Sequence, residues 1–421
     1  MPHVVFVEPN VPAVDAMRRA KELGHRVTLV QSSNFRFYPE NERTAEVFRS
    51  LDRRMEIPTT ADPTAVEGAF ARFLDDDPPD AVICQIEFSV EATAIACDRL
   101  GLPFTSATGV RNARDKAKAR ELITGAGLAS VRHMRISDSR QLETAIDYVG
   151  LPVVVKPVSG ADSILSYRAD TTADALAAGM RILNGVSALP AMLREQFARG
   201  IIIEQYLRGE LVSAEVGALN GRFYRFMVSG RPRARENECV EMGAFMPADI
   251  SPAQREECFR YAENVCRALG LDRGIFHIEM ILTDKGPVLV EANPRLMGGV
   301  MPGLYRMVTG HDIHDYEIAI HLGQDIHGDL PPADGAFVTS RKLMPRADGR
   351  LADTLDLGWL THYTERMSSF DPYRLSGGLS VRATEILARY TVTDNGIAPA
   401  NRLADEILDC FQKSLGIELI R

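Results

Sequence analysis

Long apolar runs, paired cysteines and an excess of positive charge are all missing from this sequence of 421 residues. No apolar stretch approaches the roughly 20 residues that a membrane-spanning helix needs, and the N-terminus lacks a basic segment followed by an apolar signal core. The six cysteines are scattered without a CxxC pair. This favours reduced thiols in a cytoplasmic protein over a disulfide scaffold or a zinc site. The formal net charge of −9 argues against a nucleic-acid partner.

A glycine-rich dinucleotide fingerprint is also absent. His3 to Val7 has the pattern of a buried strand, Val14 to Leu23 that of a helix, and His25 to Val30 that of a second strand. This βαβ opening predicts a doubly wound layer with a parallel sheet. Its first turn, Glu8 to Pro12, contains no glycine, so the fold alone does not indicate a nicotinamide enzyme.

Glu87 is a candidate site residue in this N-terminal layer. It follows the strand predicted at Ala81 to Gln85. Open α/β sheets bind ligands at the carboxyl ends of their strands, which favours a functional role. The same position begins a predicted helix, where the helix dipole alone would favour a carboxylate. The sequence leaves both interpretations open.

The stretch from Gly274 to Gly299 carries the most chemistry. Alternation from Ile275 to Leu282 predicts a strand with His277 and Glu279 on one face. Asp284 to Gly286 supplies turn residues, so a hairpin is predicted. The return strand is predicted to place Leu289, Glu291 and Asn293 together on one face.

The predicted hairpin brings two carboxylates and an amide oxygen together. Like charges repel, so a cation between Glu279 and Glu291 would stabilise both. Hard oxygen ligands, completed by waters and phosphates, suit Mg²⁺. Arg295 follows two residues after Asn293, as a planar donor for a carboxylate or phosphate. An exposed hairpin with two solvated glutamates is the alternative for these residues taken alone.

Two lysines are candidates for binding phosphate. Lys156 stands near the end of the apolar strand Leu151 to Pro157, where burial is costly unless an anion compensates it. The small residues of Val158 to Ser163 could close over phosphates, or form a surface turn. Lys116 lies on a helix predicted over Asn112 to Thr124, either in a functional role or on a solvated charged face.

Two irregular segments are predicted to border the site. A strand at Ile201 to Ile203 leads into Glu204 to Glu210, whose backbone could meet an adenine edge and whose carboxylates suit ribose hydroxyls. The polar stretch from Gly230 to Pro247 predicts a mobile loop beside the site. Its arginines could bind a substrate carboxylate or be solvated; they are Arg231, Arg233 and Arg235.

Four motifs occur together in one order, and the combination is more specific than any single motif. They are DKxxxR at Asp115 to Arg120, VVVKP at Val153 to Pro157, EQYLxGE at Glu204 to Glu210, and HxE…EANPR ending at Arg295. The chain thereby resembles the ATP-grasp superfamily, and within it the carboxylate–amine ligases with a biotin-carboxylase-like layout.

The resemblance implies an α/β and α+β multidomain fold. It implies a Rossmann-like N-terminal domain at residues 1–108 and an ATP-grasp domain at 109–325, with lobes of about 109–195 and 196–325. A small C-terminal α+β lobe would follow at residues 326–421.

The resemblance also implies roles for individual residues. Lys116 and Lys156 would hold the ATP phosphates, Glu204 the adenine amino group, and Glu210 the ribose. The backbone of Gln205, Tyr206 and Leu207 would form the hinge around the base. The phosphate-covering loop would include Ser159, Gly160 and Ser163, without the second glycine usual there. Glu279, Glu291 and Asn293 would bind Mg²⁺ or Mn²⁺, and Arg295 would stabilise the acyl-phosphate and its adduct.

The segment from Glu236 to Pro247 resembles the one that lines the amino-acid pocket of L-amino-acid ligases, which makes Glu241 a further catalytic candidate. The implied function is ADP-forming ligation of a carboxylate, expected to be an amino acid, to an amine. Small-molecule substrates are therefore expected, with neither nucleic acid nor membrane as partner and a homodimer left open. The alternatives are a purine-pathway carboxylase or formyl-phosphate ligase, and a non-catalytic ATP-binding protein.

Overall fold

The computed structural model describes residues 1–159, 165–186, 194, 199–235, 237–326 and 336–421. Three residues considered above lie outside these ranges: Gly160, Ser163 and Glu236. None of the helices in the described ranges is both long enough and apolar enough to cross a membrane.

The N-terminal part is a four-stranded parallel sheet with strand order β3-β2-β1-β4. Its elements are β1 (His3–Val7), α1 (Val11–Glu22), β2 (Arg26–Ser32), α2 (Glu42–Ser50), β3 (Arg53–Ile57), α3 (Pro63–Ala71), β4 (Ala81–Ile83) and α4 (Glu87–Leu100). The predicted doubly wound layer is confirmed. Helix α1 begins three residues earlier than predicted because Asn10 caps it, its Oδ1 accepting from Ala13 N at 3.0 Å.

The single helix predicted over Asn112 to Thr124 is wrong. The chain forms two helices, α5 (Ala107–Arg114) and α6 (Lys116–Gly125), separated by Asp115. Asp115 leaves the helical conformation (φ −95°, ψ 100°) and caps α6, because its side chain accepts from Lys118 N at 3.0 Å. The break makes Lys116 the first residue of α6.

A small lobe follows, built on a four-stranded sheet with order β5-β8-β6-β7. Its elements are β5 (His133–Ile136), α7 (Leu142–Val149), β6 (Val153–Pro157), β7 (Tyr167–Ala169), α8 (Thr172–Gly185) and β8 (Ile201–Gln205). Both helices bury apolar side chains against the sheet, in a core that includes Ile146, Val153, Ile182 and Ile203. Apolar burial on one face therefore leaves the other face of this sheet for the site.

The rest of the chain is organised around an eight-stranded sheet with order β13-β12-β9-β10-β11-β14-β18-β16. Its elements in chain order are β9 (Glu210–Leu219), β10 (Arg222–Gly230), β11 (Gly243–Met246), α9 (Pro252–Leu269), β12 (Gly274–Thr283), β13 (Gly286–Asn293), α10 (Met301–Thr309), α11 (Ile313–His321), β14 (Phe337–Leu343), β15 (Gly349–Arg350), β16 (Met367–Pro372), β17 (Ser380–Val381), β18 (Ala388–Asp394) and α12 (Ile397–Leu415). Strands β15 and β17 pair separately. The strands after residue 336 thus extend the same sheet that carries the hairpin.

Helices cover both faces of the large sheet. Helix α9 packs on one face, where Val265 joins Ala214 and Ile278 in the core. Helices α10 and α11 pack on the other, with Tyr305 among the fully buried side chains. Ile318 of α11 also joins the core of the N-terminal sheet, which fixes that sheet beside the hairpin.

The stretch from Gly230 to Pro247 was predicted as a loop, and this is wrong at its C-terminal end. Residues Gly243 to Met246 form β11 inside the large sheet, paired with β14 along their whole length. Arg233 and Glu241 also form an isolated antiparallel bridge. The strand is only four residues long and follows a charged segment, so the sequence pattern does not reveal it.

Candidate functional site

A cavity lies between the small-lobe sheet and the large sheet. Strands β6 and β8 supply one wall, and β9, β12 and β13 supply the other. Its charged lining residues are Lys116, Lys156, Glu204, Arg233, Glu238, Glu241, Glu279 and Glu291. Apolar residues including Val131, Leu207, Ile281 and Leu289 line the rest.

The hairpin places its two carboxylates side by side. Glu279 on β12 is the direct partner of Glu291 on β13, and His277 is the partner of Asn293. A β-bulge follows, so that Met280 pairs with Leu289 and Val290 is the extra residue. The expected alternation is therefore wrong for Leu289, which is buried with Met280 in the core while it also borders the cavity.

Lys116 meets this carboxylate pair from helix α6. Its Nζ lies 2.7 Å from Glu291 Oε1, and only 8% of its side chain is exposed. Its backbone N–H donates to Val158 O at 3.2 Å, at the start of the predicted phosphate loop. Burial lowers the pKa of Lys116, and the charge of Glu291 opposes this. Of the two alternatives that the sequence leaves open for Lys116, the solvated charged face is excluded, because the side chain is buried and lines the cavity.

Lys156 forms a second buried ion pair, with Glu204. Lys156 Nζ lies 2.7 Å from Glu204 Oε2, and Arg120 Nε lies 3.0 Å from Glu204 Oε1. Burial alone would raise the pKa of Glu204, but Arg120 and Lys156 outweigh it and lower that pKa to about 2. Arg120 also donates to Val290 O at 2.7 Å, in the bulge of the hairpin. Arg120 thus ties both walls of the cavity together.

The hairpin donors fit a hard divalent cation. Burial raises the pKa values of Glu279 and Glu291, but neighbouring cationic groups outweigh it and lower both, so both carboxylates are ionised. Within the described ranges, no group of three or more His, Cys, Asp or Glu side chains could hold a metal ion. The donors that the hairpin itself offers are the carboxylates of Glu279 and Glu291 and the amide of Asn293, a set that water and phosphate oxygens could complete around Mg²⁺.

A buried polar network stands beside the carboxylates. His277 contacts Glu215 through Nδ1, and its Nε2 lies 3.1 Å from both Glu279 Oε1 and Arg231 Nη1. Burial would lower the pKa of His277, but Glu215 and Glu279 outweigh it and raise that pKa to about 9. Arg231 in turn forms an ion pair with Glu241. Arg231 is therefore not a solvated arginine, because an ion pair holds it in the site. Arg233 is held in the same way, by an ion pair with Glu238 at 3.1 Å.

Arg295 connects the hairpin to the N-terminal sheet. Its guanidinium forms an ion pair with Glu87, the first residue of α4, and both side chains are 12% exposed. Its Nη1 donates to Leu296 O at 2.7 Å, while Nε is buried without a partner in the described structure. Glu87 and Arg295 belong to two different predicted domains, and the fold brings the two side chains into contact.

The remaining candidates lie in three different places. Gln205, Tyr206 and Leu207 border the cavity, as expected for a hinge. Ser159 is buried, and its hydroxyl has no partner within the described residues. Glu210 is exposed and borders a neighbouring opening instead, together with Arg208 and Arg235.

Sequence reasoning missed Arg114 and Glu215, whereas Glu238 and Cys239 belong to the segment from Glu236 to Pro247 that was expected to line the amino-acid pocket. Arg114 and Glu215 are buried, and Glu238 and Cys239 line the cavity. Glu215 left a signal, because it is the one charged residue of β9 apart from Glu210, with which the strand begins. Such a residue needs a polar partner when the strand is central.

Two family models match the chain. The ATP-grasp domain matches residues 149–302, and the ATP-grasp N-terminal domain matches residues 17–104. Together they cover more than half of the chain. The first includes the hairpin with Glu279, Glu291, Asn293 and Arg295, and the second includes Glu87.

Curated relatives and a solved structure agree with these models. Alanine–anticapsin ligase of Bacillus subtilis is 24% identical over 266 residues, which are 60% of this chain and 56% of that protein. Carnosine synthase 1 of Gallus gallus is 26% identical over 323 residues, 74% of this chain and 33% of that protein. The chain thus spans about half the length, or less, of these relatives.

The L-amino acid ligase of Bacillus licheniformis superposes with a TM-score of 0.78 at 19% identity, covering 98% of both chains. At that identity the likeness establishes the fold. The predicted fold class is confirmed by this match and by the two models, and the chain belongs to the ATP-grasp superfamily.

Proposed function

We propose that this protein is an ATP-dependent carboxylate–amine ligase, releasing ADP and phosphate, with amino acids as its substrates. The observation that carries the proposal is the arrangement around the hairpin. Lys116 lies 2.7 Å from Glu291, which is paired across the strands with Glu279, and Arg295 follows on the same strand end. The cationic side chains can neutralise a polyphosphate and the carboxylate that attacks it, and the paired carboxylates can hold a divalent cation for the same purpose.

The chain's own residues bind and orient ATP in this proposal. Lys116 and Lys156 bind the phosphates from two sides of the cavity. Because Arg120 and Lys156 already occupy both oxygens of Glu204, we assign Glu204 to holding Lys156 in place beside the nucleotide. The backbone of residues 205–207 meets the base, and the cavity wall supplies apolar contact through Leu207 and Leu289.

Glu279, Glu291 and Asn293 would hold Mg²⁺. When bound, the ion would neutralise charge on the phosphate oxygens during phosphoryl transfer. Glu279 and Glu291 are ionised and adjacent, so they supply the negative charge that such an ion requires.

A carboxylate is a poor electrophile because it has no good leaving group. Its oxygen attacks the γ-phosphorus of ATP, ADP leaves, and the resulting acyl-phosphate is attacked by the amine with loss of inorganic phosphate. Little covalent work falls to the protein, so positioning and charge neutralisation account for catalysis. Arg295 would stabilise the carbonyl oxygen that becomes anionic, with Glu87 holding its guanidinium, and Glu241 would orient a substrate from the cavity wall.

The ligands and the cell compartment follow from the same assignment. The substrates are small molecules, and ATP is the energy source. The six cysteines are all free thiols. This agrees with action in the cytoplasm, where thiols stay reduced.

The proposal is tested with a matrix of amino acids assayed in pairs for phosphate release, with mass spectrometry of the products. Amide products accompanied by ADP and phosphate are expected, and oxygen-18 in the first carboxylate should appear in the phosphate. AMP as product would overturn the mechanism. Turnover that requires bicarbonate or formate would assign the protein to a carboxylase or formyl-phosphate ligase instead.

A further inference from the structure

Glu215 is the most deeply buried carboxylate of the site. It lies on β9 with none of its surface exposed, and its chain neighbours Ala214 and Val216 face the apolar core. Glu215 pairs directly with His277 of β12. Burying a carboxylate costs free energy, and replacing a buried ion pair by apolar residues of similar volume is often neutral or stabilising. Stability alone therefore does not explain a carboxylate at this position.

One oxygen of Glu215 is linked through His277 to Glu279, a proposed metal ligand. Oε1 contacts His277 Nδ1. The opposite nitrogen of the same ring, Nε2, lies 3.1 Å from Glu279 Oε1. Because the imidazole is rigid and only 3% exposed, fixing one nitrogen fixes where the other meets Glu279. Glu215 thus sets the position of Glu279 without touching it.

The other oxygen acts on the loop after the hairpin. Met297 N donates to Glu215 Oε2 at 3.2 Å, two residues after Arg295. His277 N also donates to Arg295 O at 3.0 Å, so strand and loop are joined at this point. Glu215 therefore bonds the loop of Arg295 and, through His277, the side chain of Glu279.

We infer that Glu215 is a positioning residue that holds Glu279 and the Arg295 loop in one fixed arrangement. What those two groups do rests on the proposed function; the link itself rests on the contacts above. Partners that orient metal ligands typically change metal affinity or activity by about 10–100-fold when removed. The inference predicts a loss of this size at a residue that contacts neither metal nor substrate.

The test is Glu215→Gln, which keeps the side-chain volume. Its NH₂ group would replace one of the two oxygens that meet His277 Nδ1 and Met297 N. Mn²⁺ binding to the protein–ADP complex is measured by electron paramagnetic resonance, without any amino acid. We expect the Mn²⁺ affinity to fall about 10–100-fold. The matched control is Glu317→Gln. Glu317 is another buried glutamate that contacts a histidine, with its Oε2 3.1 Å from His314 Nδ1. The control should keep wild-type Mn²⁺ affinity even if its melting temperature falls.

A double variant shows whether Glu215 acts through Glu279. Glu279→Gln alone should weaken Mn²⁺ binding, and adding Glu215→Gln should then cost much less than it does in the wild type. Wild-type Mn²⁺ affinity in Glu215→Gln, or additive losses in the double variant, would overturn the inference. If Glu215→Gln fails to fold, His277→Asn interrupts the same link and should give the same loss. Mn²⁺ binding needs no turnover, so a failure of the proposed ligase activity would leave this result interpretable.

Discussion

Lys116 Nζ lies 2.7 Å from Glu291 Oε1, although 175 residues separate them in the chain. The contact joins the first residue of α6 to the C-terminal part of the hairpin strand β13. Since Lys116 is buried and charged, its position depends on the carboxylate, and the carboxylate pair depends on a nearby cation. The lysine proposed to bind phosphate and the carboxylate proposed to bind metal thus stabilise each other without a ligand.

Glu291→Gln should nearly abolish ADP formation, because it removes one of two paired carboxylates with little change of volume. It should also lower the melting temperature, since Lys116 loses its buried partner. The control is Glu263→Gln, which breaks the 2.5 Å ion pair between Glu263 on α9 and Arg225 on β10. That control should lose stability and keep activity. Wild-type turnover with unchanged Mg²⁺ dependence in Glu291→Gln would exclude the hairpin as the metal site.

Lys156→Ala should weaken ATP binding far more than adenosine binding, because the lost charge acts on phosphate. Isothermal titration with both ligands measures the difference. Glu204 keeps Arg120 as a partner in this variant, so the fold should survive. Lys118→Ala is the control, since that lysine is 51% exposed on the neighbouring helix and pairs with Glu121. An equal loss for ATP and adenosine would assign Lys156 to the fold and not to the phosphates.

The free energy of unfolding should depend on pH through the Glu204 carboxyl. Its pKa falls from 4.5 to about 2 on folding, because Arg120 and Lys156 outweigh the effect of burial. A lowered folded-state pKa stabilises the protein above pH 4.5, and this contribution is lost as pH falls from about 4.5 through 2. Its size is on the order of 3 kcal/mol. The free energy of unfolding, measured by urea between pH 2 and 7, should therefore fall more steeply with acid in the wild type than in Glu204→Gln. Parallel curves would contradict the ion-pair assignment.

The sequence predicted those parts of the site in which neighbouring residues supply the chemistry. Glu279, Glu291 and Asn293 could be placed on one hairpin face because strand alternation depends only on local spacing. The same rule failed for Leu289, since the bulge at Val290 depends on how β13 pairs with β12. Asp115 was missed as a helix break because its capping bond to Lys118 competes with a strongly helical composition.

Contacts between distant segments were beyond this reasoning. Nothing in the local pattern relates Glu87 to Arg295, and the contact exists because α11 docks the N-terminal sheet against the rest of the chain. The strand Gly243–Met246 was likewise hidden, because its pairing partner β14 lies about a hundred residues later. Long-range pairing of this kind is fixed by the fold as a whole.

Arg295→Lys should lower kcat far more than it raises the KM for ATP. A guanidinium can bind Glu87 and still present further N–H groups to an oxygen that becomes anionic, whereas an ammonium cannot reproduce that planar geometry. Losing one donor to a developing oxyanion typically costs about 10²–10³ in kcat. Arg306→Lys is the control, because Arg306 is 59% exposed on α10 and lies 3.9 Å from Asp312. Steady-state kinetics for ATP and for each amino acid separate the two parameters. If Arg295→Lys instead raised only the KM for ATP, Arg295 would belong to nucleotide binding, and the acyl-transfer centre would not include Arg295.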